Sequence, residues 1–128
     1  MVDIGTIQGG FDSLAEDIND LGVIVGASTY STHPGQHAAL WRTDNSVVDL
    51  DAWLNQVNPI QGAKWVLANA VSINNAGMVA GYGTYISEPG ATDVSRGFVL
   101  DASSLIPEPS SLMLALLPIL ASARRLRS

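Results

Sequence analysis

Few side chains in this sequence have the types and spacing that catalysis requires. Glu16 and Asp17 are adjacent acids, and paired carboxylates are a common basis for general acid–base chemistry. On a β-strand, however, adjacent side chains point to opposite faces, so we expect this pair to be solvated rather than to act together. The sequence also lacks the Gly-x-Ser-x-Gly segment of an activated serine. We therefore predict no catalytic residue and a protein that is not an enzyme.

Metal binding has only weak candidates as well. Asp49 and Asp51 would share one face of a strand and could bind a cation, but we expect one of them to cap a helical turn around Trp53. His33 and His37 are the two histidines, and without a third ligand they make a poor metal site. The sequence has no cysteine, which excludes disulfides and thiolate metal sites. We therefore predict no metal and no other cofactor.

Sugar contact is the remaining chemistry that the side chains offer. Trp41, Trp53 and Trp65 each carry a large ring with one polar N–H, which can stack on a sugar or fill a core. We expect core packing for all three, because large aromatic side chains are mostly buried. An exopolysaccharide partner stays open on this basis.

The elements that position these residues are predicted to be β-strands. Across residues 1–104, short apolar runs alternate with Gly, Asn and Asp, which is the composition of strands and turns. Within this region the segment INDLGVIVG, Ile18–Gly26, is repeated 55 residues later as INNAGMVAG, Ile73–Gly81. A repeat of this length indicates one supersecondary unit that is used twice. The units are predicted over residues 3–50 and 51–101, and the second has a longer last loop.

Each unit is predicted to be an antiparallel meander of three or four strands. In the first hairpin, Gly22 would take the positive φ of a tight turn, and Asn19 would bond the backbone of that turn. Residues 74–77 repeat this chemistry, and Gly26 and Gly81 would permit bulges or close packing in the return strands. The expected strands cover residues 15–19, 23–28, 37–42, 46–50 and 96–101.

The order of these motifs resembles the HAF repeat of bacterial extracellular proteins. The segments DIGTIQGG, INDLGVIVGAS and QHAALW match that repeat, and the resemblance covers nearly all of residues 3–101. The first unit departs from it at Ala39, where Phe is expected, and the second at Arg96-Gly97, where His-Ala is expected. The resemblance implies β-propeller blades or a related sheet array, here about two blades. Because a propeller needs at least about four blades to close, we expect the chain to be the C-terminal part of a longer protein.

The end of the chain, IPEPSSLMLALLPILASARRLRS, differs from the rest in charge and polarity. Residues 1–108 hold all twelve acidic residues and three basic ones, whereas residues 109–128 hold three arginines and no acid. The apolar run over residues 112–123 has no polar face, and as a helix it would span about 18 Å of the roughly 30 Å bilayer core. Pro107 and Pro109 separate it from the last strand. The predicted fold class is therefore all-β, with about two antiparallel meander blades, partly propeller-like, followed by a detached C-terminal hydrophobic helix.

Over residues 105–128 the order of these elements resembles the PEP-CTERM sorting signal. The resemblance implies that an exosortase, a membrane protease of transpeptidase type, recognises the Pro-Glu-Pro triplet and removes the anchor. It also implies transit through the inner membrane to the cell surface or extracellular matrix of a Gram-negative bacterium. Arginines stay on the cytoplasmic side of a membrane. This would place the repeat region, residues 1–104, which we call the body, in the periplasm. The implied site residues are Pro107, Glu108 and Pro109 for recognition, Leu112, Leu114, Leu116, Leu117, Ile119 and Leu120 for the transient membrane helix, and Arg124, Arg125 and Arg127 for the cytoplasmic anchor.

Three functions fit these observations. The one that we favour is an exported, non-catalytic surface or exopolysaccharide-matrix repeat protein. The others are the C-terminal fragment of an exported hydrolase or lyase, and a stably membrane-anchored periplasmic protein. The start, MVDIGTIQGG, has no signal peptide, which again suggests a missing N-terminal part. A nucleic-acid partner is not expected, because the acidic body lacks the basic side chains that phosphates require.

Overall fold

The computed structural model describes residues 1–31 and 35–106 of the chain. In these ranges the structure is mainly β, as the sequence predicts, and the strands form two antiparallel sheets with chain-order neighbours. The detached C-terminal helix of the prediction lies outside the described residues. Sheet A contains β1 (Ser13–Ile18), β2 (Ile24–Thr29), β3 (Gln36–Trp41) and β4 (Val47–Asp49), and sheet B contains β5 (Trp65–Ile73), β6 (Met78–Tyr85) and β7 (Val94–Asp101).

Two short helices connect the sheets. The first begins where the sequence predicts a helical turn, and Asp49 is its N-cap. One carboxylate oxygen of Asp49 accepts hydrogen bonds from the backbone N–H groups of Asp51 and Ala52, at 3.0 and 3.1 Å. The second helix has Pro59 at its first position, where the missing N–H costs nothing. The bounds are α1 (Leu50–Val57) and α2 (Pro59–Gly62), and a 3₁₀ turn (Ser103–Leu105) comes after β7.

The first hairpin of each sheet has the same turn, as the repeat predicts. The side-chain oxygen of Asn19 accepts from the backbone N–H groups two and four residues later, at 3.0 and 2.9 Å. Asn74 makes the same two hydrogen bonds in the second hairpin, at the same distances. Gly22 and Gly77 take φ values of +86° and +84°. Glycine adopts this conformation without the steric cost that a Cβ brings, so the turn is specified locally in both units.

Matching bulges lie beyond the two turns. The pairing of β1 with β2 shifts register next to the pair that contains Gly26, and the pairing of β5 with β6 shifts next to the pair that contains Gly81. A Cβ on Gly26 would overlap the carbonyl oxygen of Leu14, and one on Gly81 would overlap that of Asn69. The predicted role of these two glycines, a bulge with close backbone packing, is therefore confirmed.

The core lies between one face of sheet A and one face of sheet B, which we call the inner faces. Val25 pairs with Leu40 in sheet A, and Val79 pairs with both Ile73 and Leu100 in sheet B. These side chains pack in one apolar cluster with the apolar side of α1, and each fully buried one stabilises the fold by about 1.5–3 kcal/mol. We call the opposite faces the outer faces. The inner faces comprise Val25, Ala27, Ala38, Leu40 and Val48 of sheet A and Leu67, Ala70, Ile73, Val79, Phe98 and Leu100 of sheet B.

The two units also touch through their equivalent turns. The backbone N–H of Asp20 donates to the side-chain oxygen of Asn75, and the side-chain amide of Asn75 donates to the Asp20 carboxylate, both at 2.8 Å. The side-chain amide of Asn19 donates to the carbonyl oxygen of Asn74 at 3.2 Å. In each pair the partners are 55 residues apart, which is the offset of the sequence repeat. The sheets are thus stacked hairpin on hairpin.

The N-terminal segment, residues 1–10, lies against the outer face of sheet A. The indole N–H of Trp41 donates to the carbonyl oxygen of Gly5 at 3.2 Å, and the backbone N–H of Ile7 donates to the hydroxyl of Ser28 at 2.9 Å. Trp41 and Ser28 are both buried. The segment therefore covers part of this face.

Candidate functional site

The residues predicted to sort and anchor the chain lie outside the described residues, as does His33. Within residues 1–31 and 35–106 no helix is long and apolar enough to cross a bilayer. The predicted residues outside the description are Pro107, Glu108 and Pro109, the apolar positions Leu112, Leu114, Leu116, Leu117, Ile119 and Leu120, and the arginines Arg124, Arg125 and Arg127. Their roles stay predictions.

The acidic pair Glu16 and Asp17 joins the two sheets. The bulge in β1 lies at this point, and both carboxylates reach β5. Glu16 accepts from the side-chain amide of Asn69 at 2.8 Å, and Asp17 accepts from the backbone N–H of Ile73 at 2.9 Å. Glu16 is exposed, as expected for a solvated side chain, whereas Asp17 is half-buried. The expectation missed the protein partners of both acids, because the bulge breaks the strand alternation on which it rests. Both acids have protein partners, so their arrangement indicates a structural role.

A charged cluster forms where β3 meets α1. His37 Nδ1 donates to the carboxylate of Asp49 at 2.9 Å, and its Nε2 lies 3.6 Å from a carboxylate oxygen of Asp51. The ring of Tyr30 stacks on the imidazole, with centroids 3.8 Å apart and planes 18° from parallel. The backbone N–H of Leu67 donates to Asp51 at 2.8 Å. One histidine is therefore held by two acids and one aromatic ring.

This cluster shifts the protonation of two of its members. Burial by itself lowers the pKa of His37, but the hydrogen bond to Asp49 and the negative charges of Asp49 and Asp51 outweigh it, and the pKa is raised. Burial raises the pKa of the Asp51 carboxyl, although the hydrogen bond from Leu67 and the charge of His37 oppose the rise. A protonated His37 is thus favoured between the two acids.

The geometry of the cluster indicates a structural role. Asp49 is engaged by the helix N-terminus and by His37, so the predicted capping role is confirmed for this residue. Asp51 lies inside α1, not on a strand face with Asp49, and it holds β5. Among the described residues no group of three or more His, Cys, Asp or Glu side chains is arranged to hold a metal ion. The cluster fastens β3, α1 and β5 to one another.

The three tryptophans differ in exposure. Trp41 is buried, in agreement with the predicted core packing. Trp53 and Trp65 are half-buried and pack against the edge of the core. The ring of Trp65 lies 5.0 Å from that of Tyr85 and 6.1 Å from that of Phe98, measured between centroids. Trp65 is thus the centre of a small aromatic group at the open end of sheet B.

An open groove of about 390 Å³ lies beside this aromatic group, between the helices and β7. Its walls include the rings of Trp65 and Phe98 and the side chains of Leu67, Asn58 and Gln61. Flat apolar rings next to amide groups are a combination that can bind a sugar ring. This groove is the candidate ligand site of the described region.

The sequence reasoning missed the aromatic partners of His37 and Trp65. Tyr30 and Tyr85 are 55 residues apart, so the repeat could have paired them. Each tyrosine faces the start of the next strand, where sheet A has His37 stacked on the ring and sheet B has Arg96 with its guanidinium 5.5 Å from the ring centroid. The 55-residue spacing of the two tyrosines is visible in the sequence. Their contacts with the next strand depend on the tertiary structure.

Comparison of the chain with protein-family models, with curated proteins and with solved structures found no match in any of the three. The resemblance to the HAF repeat and to the PEP-CTERM signal therefore stays a prediction from the quoted residues.

Proposed function

We propose that the chain is an exported, non-catalytic surface or exopolysaccharide-matrix repeat protein that carries a C-terminal exosortase signal. The observation that carries the proposal is the order of three elements at the C-terminus. Pro107-Glu108-Pro109 comes first, the apolar run 112–123 is next, and Arg124, Arg125 and Arg127 end the chain. The run is short for a permanent span and has no polar face for packing on a sheet. A temporary anchor accounts for both properties.

We propose further that sheets A and B are two blades of a propeller-like array. The support is that the units repeat in sequence, share the same turn and bulge, and stack with equivalent turns in contact. Radial repetition of small antiparallel sheets is the principle of the propeller. Stacked sheets of this kind form a stable surface without requiring a catalytic site, which agrees with a scaffold role.

The partner that we propose for the body is exopolysaccharide, bound at the groove beside Trp65 and Phe98. A sugar ring would stack on the exposed part of these rings and bond the amides of Asn58 and Gln61. Titration of the body with the exopolysaccharide of the producing strain should change the tryptophan fluorescence. A signal that is unchanged at saturating polysaccharide would remove this partner from the proposal.

The sorting signal is tested with the variant Glu108→Ala in the producing bacterium. If an exosortase reads the triplet, the variant accumulates at full length in the inner membrane, whereas the unaltered chain reaches the surface without its C-terminus. Glu88→Ala is the matched control, because Glu88 is also an acid that precedes a proline and it lies in an exposed loop. The control chain should be processed normally.

Mass spectrometry of the C-terminus is the measurement. A surface fraction in which the chain still ends at Ser128 contradicts the sorting proposal and favours a stably anchored protein. The genomic sequence upstream of Met1 separates the remaining alternative, since a hydrolase or lyase domain there would replace the scaffold role. Further repeats upstream would support the array.

A further inference from the structure

The third strand of sheet B has a free edge, unlike the third strand of sheet A. In sheet A, β4 pairs with residues 39–41 of β3. Because QHAALW aligns with SRGFVL in the repeat, the equivalent residues of β7 are residues 98–100. Among the described residues no fourth strand pairs with β7, which is the outermost strand of sheet B. The backbone N–H and C=O groups on this edge therefore have no strand partner in the described part of the chain.

The candidate groove runs along this free edge. Its lining includes every residue from Gly97 to Asp101. Successive residues of a strand point to opposite faces of a sheet, so a groove contacts all of them only when it follows the edge. The opposite wall contains Leu54 of α1, Gln61 of α2 and, between the two helices, Asn58. The groove thus occupies the position that β4 has in sheet A, and a linear chain can lie in it within reach of the backbone of β7.

The charge of the groove is negative. Among the described residues that line it, Asp101 at the end of β7 is the one that carries a charge. The three basic residues of the body, Arg42, Lys64 and Arg96, are not among the lining residues. Arg96 precedes the lining stretch of β7, and its guanidinium lies over the ring of Tyr85, 5.5 Å from the centroid. The carboxylate of Asp101 therefore has no opposite charge beside it in the groove wall.

The carboxylate of Asp101 is both exposed and ionised. The backbone N–H of Ser103 donates to it at 3.0 Å. Hydrogen bonds from the side chain and backbone of Ser103 lower the pKa of Asp101 from its ordinary value, so the group is charged in neutral solution. The equivalent residue of sheet A is Arg42, so the acid belongs to the unit with the open edge alone.

This charge selects among polysaccharides. Residues 1–108 carry twelve acidic and three basic side chains, so the body repels a polymer of acidic sugars and attracts a cationic one. Within the groove, a sugar carboxylate next to Asp101 would be an unfavourable pair of like charges, whereas a protonated amino group would form an ion pair. Phe98 and Asp101 are three residues apart on β7, about 10 Å. The aromatic ring and the carboxylate would therefore contact different sugar units of one chain.

We propose that the groove binds a polysaccharide whose sugars carry protonated amino groups. The chain lies along the free edge of β7, with sugar rings stacked on Trp65 and Phe98 and one amino group paired with Asp101. This inference rests on the proposed function, because it names the class of exopolysaccharide that the same groove takes. It does not depend on the sorting signal.

Calorimetric titration of the full chain with three soluble oligosaccharides of equal length tests the proposal. They are an oligomer of glucosamine, its fully N-acetylated form and an oligomer of a uronic acid, used at a pH at which the sugar amino groups are protonated. We expect the glucosamine oligomer to bind most tightly and the uronic acid oligomer most weakly, because the groove attracts the first and repels the last. Added salt should reduce this difference.

Asp101→Asn is the variant that tests the carboxylate, since it removes the charge and keeps an acceptor oxygen for the Ser103 N–H. It should weaken binding of the glucosamine oligomer about two- to fivefold, as expected for one exposed ion pair, and leave binding of the N-acetylated form unchanged. Asp44→Asn is the matched control. Asp44 is exposed, accepts from the backbone N–H of Ser46 at 2.9 Å in the same way, and does not line the groove. This control should bind all three oligomers like the unaltered chain.

Gln61→Ala tests whether the sugar lies in the groove. Gln61 is exposed on α2, so the loss of its side chain leaves the core intact. The variant should bind both the glucosamine oligomer and its N-acetylated form more weakly, and circular dichroism checks that all variants fold.

Several results would overturn the inference and leave the exopolysaccharide partner standing. They are equal affinities for the three oligomers, a preference for the uronic acid oligomer, and glucosamine binding that Asp101→Asn weakens no more than Asp44→Asn does. Glucosamine binding that Gln61→Ala leaves unchanged overturns it as well, since the oligomer would then bind the acidic surface elsewhere. A chain that binds none of the three oligomers overturns both the inference and the proposed partner.

Discussion

Sheets A and B are built from the same repeat, yet their equivalent faces have opposite surroundings. The hairpin turns and the bulges match in their hydrogen bonds and glycines. Leu40 is fully buried whereas Val99, its equivalent, is 72% exposed, and the difference is reversed for Ile73 and Ile18. The repeat therefore specifies each sheet locally, while the position in the stack decides which face is covered.

The two sheets also differ at the residues beyond their second strand. In sheet A, His37 stacks on Tyr30 and bonds Asp49, which in turn caps α1. In sheet B, Arg96 occupies the corresponding place over Tyr85 and is exposed. Sheet A is fastened by this cluster to the helix that leads into sheet B. The second unit departs from the repeat at Arg96, where the first has His37, and with this change it lacks, within the described residues, the contacts to two acids that hold His37.

The largest loss of stability is expected from substitutions at the two bulges, and it tests whether the bulges are equivalent. Gly26→Ala and Gly81→Ala should each destabilise the fold by about 3 kcal/mol or more, because the new Cβ would overlap backbone oxygen that cannot move away easily. Gly97→Ala is the control, since its Cβ would meet only the carbonyl oxygen of Gly81 at 3.6 Å, an ordinary contact. Urea unfolding measures the three free energies. Equal small losses at all three positions would contradict the matching bulges.

The next largest expected effect is a difference in stability loss between the turn of sheet A and the turn of sheet B. Gly22→Ala and Gly77→Ala should both cost about 1–2 kcal/mol, because both residues have positive φ. Gly77→Ala should cost more, since its Cβ would also lie 2.7 Å from the Cα of Ser103, whereas that of Gly22 would meet only a methyl of Thr43 at 3.4 Å. Chemical unfolding of the two variants gives the difference directly. A larger loss for Gly22→Ala would show that the turn of sheet B is the more tolerant one.

The smallest expected effect is a pH dependence of stability that comes from the cluster of His37, Asp49 and Asp51 where sheet A meets α1. The folded state raises the pKa of His37, so it binds this proton more tightly than the unfolded chain does. The contribution of His37 to stability is therefore complete below its ordinary pKa of 6.5 and is lost as the pH rises through the raised value. We expect the free energy of unfolding to fall with pH in this window, and His37→Gln to remove that slope.

Asp44→Asn is the control for the pH dependence. The hydrogen bond from the Ser46 hydroxyl lowers the pKa of Asp44, so any contribution of this residue is lost only in acid, as the pH falls below its ordinary value. Urea midpoints measured across the pH range provide the comparison. A slope above pH 6.5 that persists in His37→Gln would show that another group produces it.

Local features of this fold could be predicted from the sequence because their partners lie a few residues apart. Asn19 and Gly22 form their turn within one pentapeptide, and Asp49 caps the helix that begins at the next residue. Asp51 could not be assigned in this way, since its partner, the backbone of Leu67, is 16 residues away. The cross-sheet partners of Glu16 and Asp17 could not be predicted either, because a bulge in β1 shifts the alternation that a regular strand would have.

The sequence by itself determined the strands, the two identical turns and the glycines that allow the bulges, since each depends on φ values and hydrogen bonds within one hairpin. The tertiary structure alone decided which apolar face is buried. Ile18 and Ile73 begin nearly identical segments, yet one is exposed and the other is covered. The physical reason is that burial depends on the neighbouring sheet, and only the stacking of sheet A on sheet B supplies that neighbour.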